Sequence, residues 1–148
     1  MRIEVLHGPN LNLLGQREPN VYGSASLVEV DAAIRSAASE LGVEVGIYQS
    51  NHEGGLIDRI HEVSARVAGF VVNAGGYTHT SVALRDALAA VGRPFVEVHL
   101  SNVYARESFR RESLLAPVAL ATVSGFGVRG YTLALRGLVG HLEPSRGG

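Results

Sequence analysis

Two reactive side chains are missing from this chain of 148 residues: it contains no cysteine and no lysine. The first absence excludes disulfides, thiolate nucleophiles and thiolate metal sites. The second excludes Schiff-base chemistry and a pyridoxal phosphate anchored on lysine, because all thirteen basic residues are arginine. Long hydrophobic runs are missing as well. The start, Met1 to Pro9, has too short an apolar run for a signal peptide, and no later segment is long enough to span a bilayer, so cytoplasm is the default compartment and no membrane partner is expected. Charge of one sign is also lacking: the formal net charge is -1, which gives no whole-chain basic field for nucleic acid.

What is present is a globular composition, 46% hydrophobic, in a length that suits one domain over residues 1–148. The tail from Glu143 to Gly148 reads as frayed and disordered. Short β-branched runs recur at Arg2 to Leu6, Val43 to Tyr48, Phe70 to Val72, Phe95 to His99 and Val118 to Val123. Between and after them, apolar residues recur at helical spacing over Ser26 to Leu41, Leu56 to Val67, Ser81 to Val91 and Tyr131 to Leu142. Gly42 and Gly92 stand where helix C-caps belong. Five strands alternating with helices predict a parallel sheet covered on both faces. In such a sheet a ligand binds outside the carboxyl ends of the strands. That places Gly8 to Asn12, Gln49 to Glu53, Asn73 to His79, His99 to Asn102 and Ser124 to Gly127 on the rim, which suits a small polyhydroxylated or anionic ligand.

Without lysine or cysteine, Tyr22 becomes a leading candidate base, because it lies five residues beyond Arg17 in one loop. An isolated phenol has a pKa of about 10, and a guanidinium within ~4–6 Å favours the phenolate. A surface loop with a packed ring and a solvated arginine is the plain alternative. Asn10 follows a Gly-Pro turn, either as an Asx-turn residue or as a rim donor and acceptor. In Asn73-Ala74-Gly75-Gly76-Tyr77-Thr78-His79-Thr80-Ser81, the glycines permit positive φ and Thr78 or Thr80 is placed to cap the next helix. His79 then falls near that helix's N-terminus, either without a chemical task or binding as a neutral ring.

Glu97 and His99 are two residues apart on one strand and project from the same face. A carboxylate accepting from one ring nitrogen makes the other a better-placed acid or base. A metal pair is the rival, but no third clustered ligand is evident. Arg106 and Arg110 share a face if their segment is helical, and one of them points toward the cleft or both lie on a solvated face. Gly125-Phe126-Gly127-Val128-Arg129-Gly130 fits the dinucleotide fingerprint, yet no further strand or ribose-binding acid follows, so a close strand-to-helix turn explains its glycines.

Taken in order, these blocks resemble the type II 3-dehydroquinate dehydratases. The resemblance rests on His7-Gly8-Pro9-Asn10-Leu11-Asn12, Arg17-Glu18-Pro19 with Tyr22-Gly23, Asn73-Ala74-Gly75 with Thr78-His79-Thr80-Ser81, and Glu97-Val98-His99 with Ser101-Asn102-Val103. It implies a flavodoxin-like doubly wound five-stranded parallel sheet and dehydration of 3-dehydroquinate to 3-dehydroshikimate without a cofactor, by anti elimination through an enol or enolate. By resemblance Tyr22 is the base, Arg17 stabilises its phenolate, and His99, oriented by Glu97, protonates the departing hydroxyl. Asn10, through an ordered water, stabilises the enolate oxygen. Asn73, His79 and Arg110 match contacts to ring hydroxyls, while Leu100 and Ser101 match a carboxylate site. Arg106 corresponds to a second arginine near the base, and Asp86 to a carboxylate reaching a neighbouring subunit. The implied assembly is a dodecamer of trimers. Tyr104 departs from the histidine often found at its place, and Gly54-Gly55 is a small-residue pair that could loosen the loop after Asn51.

Three other readings of the same scaffold lack their residues. A receiver module needs acidic groups where Asn10 and Asn73 stand, and a flavin protein needs a hydroxyl-rich phosphate loop. A serine hydrolase needs a G-x-S-x-G elbow, which is absent.

Overall fold

The computed structural model describes residues 1–16, 20 and 23–144. Tyr22 and Arg17 therefore lie outside the described residues, as does the tail from 145 to 148. Five parallel strands, β1 (Arg2–His7), β2 (Glu44–Gln49), β3 (Gly69–Asn73), β4 (Phe95–His99) and β5 (Ala121–Ser124), lie in the order β2-β1-β3-β4-β5. This is the flavodoxin-like order, whose switch point lies between β1 and β3. Helices α1 (Leu27–Leu41) and α4 (Arg129–Leu142) cover one face, and α2 (Glu53–Val63) and α3 (Val82–Val91) cover the other.

Side-chain alternation divides the core in two. Ile3, Val5, Val71, Val96 and Val98 pack against α1 and α4, whereas Leu6, Phe70, Val72 and Phe95 pack against α2 and α3. Because both faces are buried, the strands read as β-branched runs rather than as alternating ones. Ser26 caps α1 by accepting from the Glu29 amide at 3.3 Å, and Gly42 ends it at φ 70°. Gly92 ends α3 in the same left-handed conformation. No helix among the described residues is long and apolar enough to cross a membrane.

Most boundaries fall within two residues of the sequence reading, and the larger differences are at α2, β5 and the entry to α3. Helix α2 starts at Glu53 rather than Leu56 and ends at Val63. Its acidic first residue favours the helix N-terminus, and the two glycines that follow are accommodated in the first turn. Strand β5 starts at Ala121 rather than Val118, because Pro117 sets a 3-10 turn over Ala116–Val118. The cap of α3 is Ser81, which accepts from the Leu84 amide at 2.9 Å, and neither Thr78 nor Thr80. Residues Gly75–His79 form a 3-10 turn of their own, which leaves His79 two residues before the Ser81 cap, near the N-terminus of α3 as the sequence places it.

Candidate active site

The carboxyl ends of β1, β3 and β4 surround a cleft of about 130 Å³. Cavities of roughly 150 Å³ are known to admit a six-membered ring. Its walls include Asn10, Asn73, His79, His99, Leu100, Ser101, Arg106 and Arg110. Two arginines and two histidines thus face it, and no carboxylate is among the described residues of the lining. No group of three or more His, Asp or Glu among the described residues is placed to hold a metal ion.

Asn10 leaves β1 at φ 69°, a left-handed conformation that asparagine tolerates better than most residues. Its backbone N–H donates to Asn51 Oδ1 at 2.9 Å, and Gln49 Nε2 donates to the same oxygen at 3.1 Å. Gly8 makes the turn fit: a Cβ there would stand 2.4 Å from the Ala74 backbone, so β1 and β3 approach at their ends only because that side chain is absent.

On β4 the Glu97 carboxylate is buried and takes a 2.6 Å hydrogen bond from His99 Nε2. Ser113 Oγ donates to the same Glu97 oxygen at 2.6 Å, and that hydroxyl also accepts from the Leu115 and Ala116 amides. Two donors on one oxygen fit an ionised carboxylate. His99 therefore keeps Nδ1 for a ligand or a proton. The His79 ring stacks beside it, with centroids 6.3 Å apart and planes 22° from parallel. Because His79 Nδ1 meets the Glu112 carbonyl at 2.7 Å, that nitrogen carries the proton and Nε2 is left to accept from a ligand.

The two cleft arginines do not ride one α-helix. Arg106 follows the 3-10 turn Val103–Ala105 with extended backbone, and Arg110 is the last residue of a separate 3-10 turn, Ser108–Arg110. Both still reach the cleft wall. Arg110 Nε donates to Glu107 at 2.6 Å. The bond to its own backbone amide and then the Arg110 guanidinium hold the Glu107 carboxyl below the usual carboxylate range.

The structure brings eight of the sequence-derived residues to one cleft, with Glu97 behind His99. Asp86 is not among them; it is exposed on α3, away from the lining. Sequence reasoning missed Ser113, whose only signal was its place before a turn. It also missed the buried pair His7 and Tyr131, which sit beneath Asn73. The glycines after β5 do make a close turn: Gly125 and Gly127 have positive φ, and a Cβ on Gly130 would meet Val98 at 3.3 Å.

Residues 1–139 match the family model described as Dehydroquinase class II. A 3-dehydroquinate dehydratase from a Nostoc species is 59% identical over 143 residues, covering 97% of this chain and 97% of the relative. The crystal structure of a type II dehydroquinase from Butyrivibrio crossotus superposes with a TM-score of 0.91 at 45% identity, covering 93% of this chain and 97% of its own. One from Propionibacterium acnes gives 0.90 at 37% identity, covering 94% and 96%.

Proposed function

This chain belongs to the class II dehydroquinase family, and from that premise we propose that it is a hydro-lyase converting 3-dehydroquinate to 3-dehydroshikimate and water in the shikimate pathway. The observation that carries the reading is the Ser113–Glu97–His99 chain at the edge of a cleft rich in hydrogen-bond donors. An α-keto proton is removed by a base, an enolate needs donors, and a leaving β-hydroxyl needs an acid.

Tyr22, as the phenolate, takes the C2 proton, and Arg17 stabilises that phenolate. The C2–H electron pair moves to form an enolate at the C3 carbonyl, where Asn10 acts through a bridging water. Collapse of the enolate forms the C1–C2 double bond as the C1–O bond breaks. His99 gives its proton to the departing hydroxyl, which leaves as water. Glu97 supplies negative charge opposite the imidazolium that His99 must be before the transfer. Asn73, His79 and Arg110 hold the ring hydroxyls. The Leu100 and Ser101 amides, with the Ser101 hydroxyl, take the substrate carboxylate, and Arg106 lies near the base. The reaction needs no cofactor.

Residues 1–148 act as one catalytic domain, in the cytoplasm, with a small molecule rather than a nucleic acid or membrane as ligand. The proposed assembly is a dodecamer of trimers, in which Asp86 reaches a neighbouring subunit's site. Its exposure on α3 leaves it accessible for that contact.

The test adds 3-dehydroquinate to purified protein in the presence of a chelator and follows the conjugated enone of 3-dehydroshikimate by ultraviolet absorbance. Steady appearance of the enone is expected. No product at micromolar enzyme rejects the assignment.

A further inference from the structure

His7 is the last residue of β1 and is paired in register with Asn73, the last residue of β3. Both are buried on the face that α1 and α4 cover. The Tyr131 ring, from the first turns of α4, lies edge-on to the His7 ring at 5.0 Å and is 1% exposed. Its hydroxyl is 2.8 Å from His7 Nδ1 and 3.1 Å from Asn73 Nδ2. On the far side, His7 Nε2 is 2.8 Å from Asp31 Oδ1, on α1. Asn73 completes the arrangement by accepting from the Gly75 amide at 3.2 Å through Oδ1.

One proton arrangement satisfies every donor. The amide of Asn73 donates to the Tyr131 oxygen, the Tyr131 hydroxyl donates to Nδ1 of a neutral His7, and His7 Nε2–H donates to Asp31. An imidazolium at position 7 would donate at both nitrogens and leave the buried Tyr131 proton without an acceptor. Burial also pushes the Tyr131 phenol above its ordinary range, outweighing the hydrogen bond from Asn73, so the phenol retains the proton it has to give. All the donors run one way, from the cleft toward α1. The amide of Asn73 is therefore fixed with Nδ2 against Tyr131 and Oδ1 against Gly75, which leaves one N–H and one lone pair to meet a ligand hydroxyl.

We propose that Asp31, His7 and Tyr131 are positioning residues that fix the amide orientation of Asn73 and thereby its recognition of a substrate ring hydroxyl. This rests on the reading of the chain as a dehydratase and adds to it three residues from outside the cleft. They touch neither substrate nor reacting atoms. An Asn73–hydroxyl contact made equally in ground and transition states acts on KM rather than kcat.

The experiment is a double-mutant cycle with Tyr131→Phe and Asn73→Ala, assayed on 3-dehydroquinate. Phenylalanine keeps the buried ring and removes only the hydroxyl. Tyr131→Phe should raise KM about 3- to 10-fold, the range expected from one lost hydrogen bond, with kcat within about twofold of wild type. In the Asn73→Ala background it should change KM by less than about twofold, because the amide it orients is gone. Multiplicative effects in the double variant, or a fall in kcat with KM unchanged, overturn the proposal. If Tyr131→Phe does not fold, Asp31→Ala carries the same cycle from the half-buried end of the network, where at least a threefold KM increase is expected and an unchanged KM overturns it. Wild-type protein that gives no enone rejects the dehydratase reading itself, whereas wild-type turnover with an additive cycle rejects only the positioning role.

Discussion

His99 and Glu97 are joined Nε2 to Oε1 at 2.6 Å, and the oxygen they share also receives the hydroxyl of Ser113. The carboxylate is 1% exposed, so almost no solvent competes for it. The ring can rotate only by breaking a charge-assisted bond, of the stronger kind made in proteins. Nδ1 is thereby aimed away from Glu97.

Glu97→Gln keeps the shape of this contact and removes its charge. We expect kcat to fall about 10- to 100-fold, within the range for an impaired general acid, while thermal unfolding shifts little. Ser113→Ala should cost less in rate, about 3- to 10-fold. It also removes the acceptor for two backbone amides, so a stability loss of about 1–2 kcal/mol is expected by denaturant titration. Unchanged kcat in both variants would rule out the support that Glu97 and Ser113 give to His99.

Tyr22→Phe should lower turnover at least ~100-fold, as expected when a general base is removed. Wild-type-like turnover refutes the role given to Tyr22. Arg17→Ala should move the rising limb of the kcat pH profile to higher pH, since a nearby cation favours the phenolate. An unmoved limb means that the loop arginine does not tune the base.

Glycines near the site should separate by their neighbours. At Gly54, in the first turn of α2, a Cβ meets nothing within 4 Å. Gly54→Ala should stabilise by about 0.5–1 kcal/mol, read as a Tm increase of about 1–4 °C. At Gly8 the Cβ would meet Ala74 backbone at 2.4 Å. Gly8→Ala should therefore cost about 3 kcal/mol or more, as overpacking against atoms that cannot move aside. A soluble, fully active Gly8→Ala protein would contradict the close approach of β1 and β3.

Tyr131 makes stability depend on alkaline pH. Its folded value lies above the unfolded one of about 10. Above that pH the unfolded chain loses a proton that the folded protein keeps, so the contribution present below pH ~10 declines as pH rises. Tyr131→Phe should show a shallower loss of stability above pH ~10 than wild type in denaturant titrations across that range. Parallel curves would mean that Tyr131 ionises as easily folded as unfolded.

Much of this was legible in the chain. The β-branched runs and three- or four-residue periodicities located five strands and four helices, because burial on both faces leaves a hydrophobic signature that needs no partner to be read. The helix ends at Gly42 and Gly92 were legible for a local reason: only a residue without Cβ readily takes the left-handed conformation there. Boundaries set by competing local choices were not, as Pro117 and Glu53 show. Glu97 and His99 were legible as a pair because strand geometry alone puts residues two apart on one face.

The sequence by itself thus determined the element order, the excluded nucleophiles and the residues at each strand end. Only the tertiary structure decided which partners meet behind the cleft. Ser113 reaches Glu97 across sixteen positions of chain, and Tyr131 reaches His7 across 124. Such contacts follow from strand order and helix packing rather than from spacing. They form because a polar atom sealed from water must find its partner within the fold, wherever along the chain that partner lies.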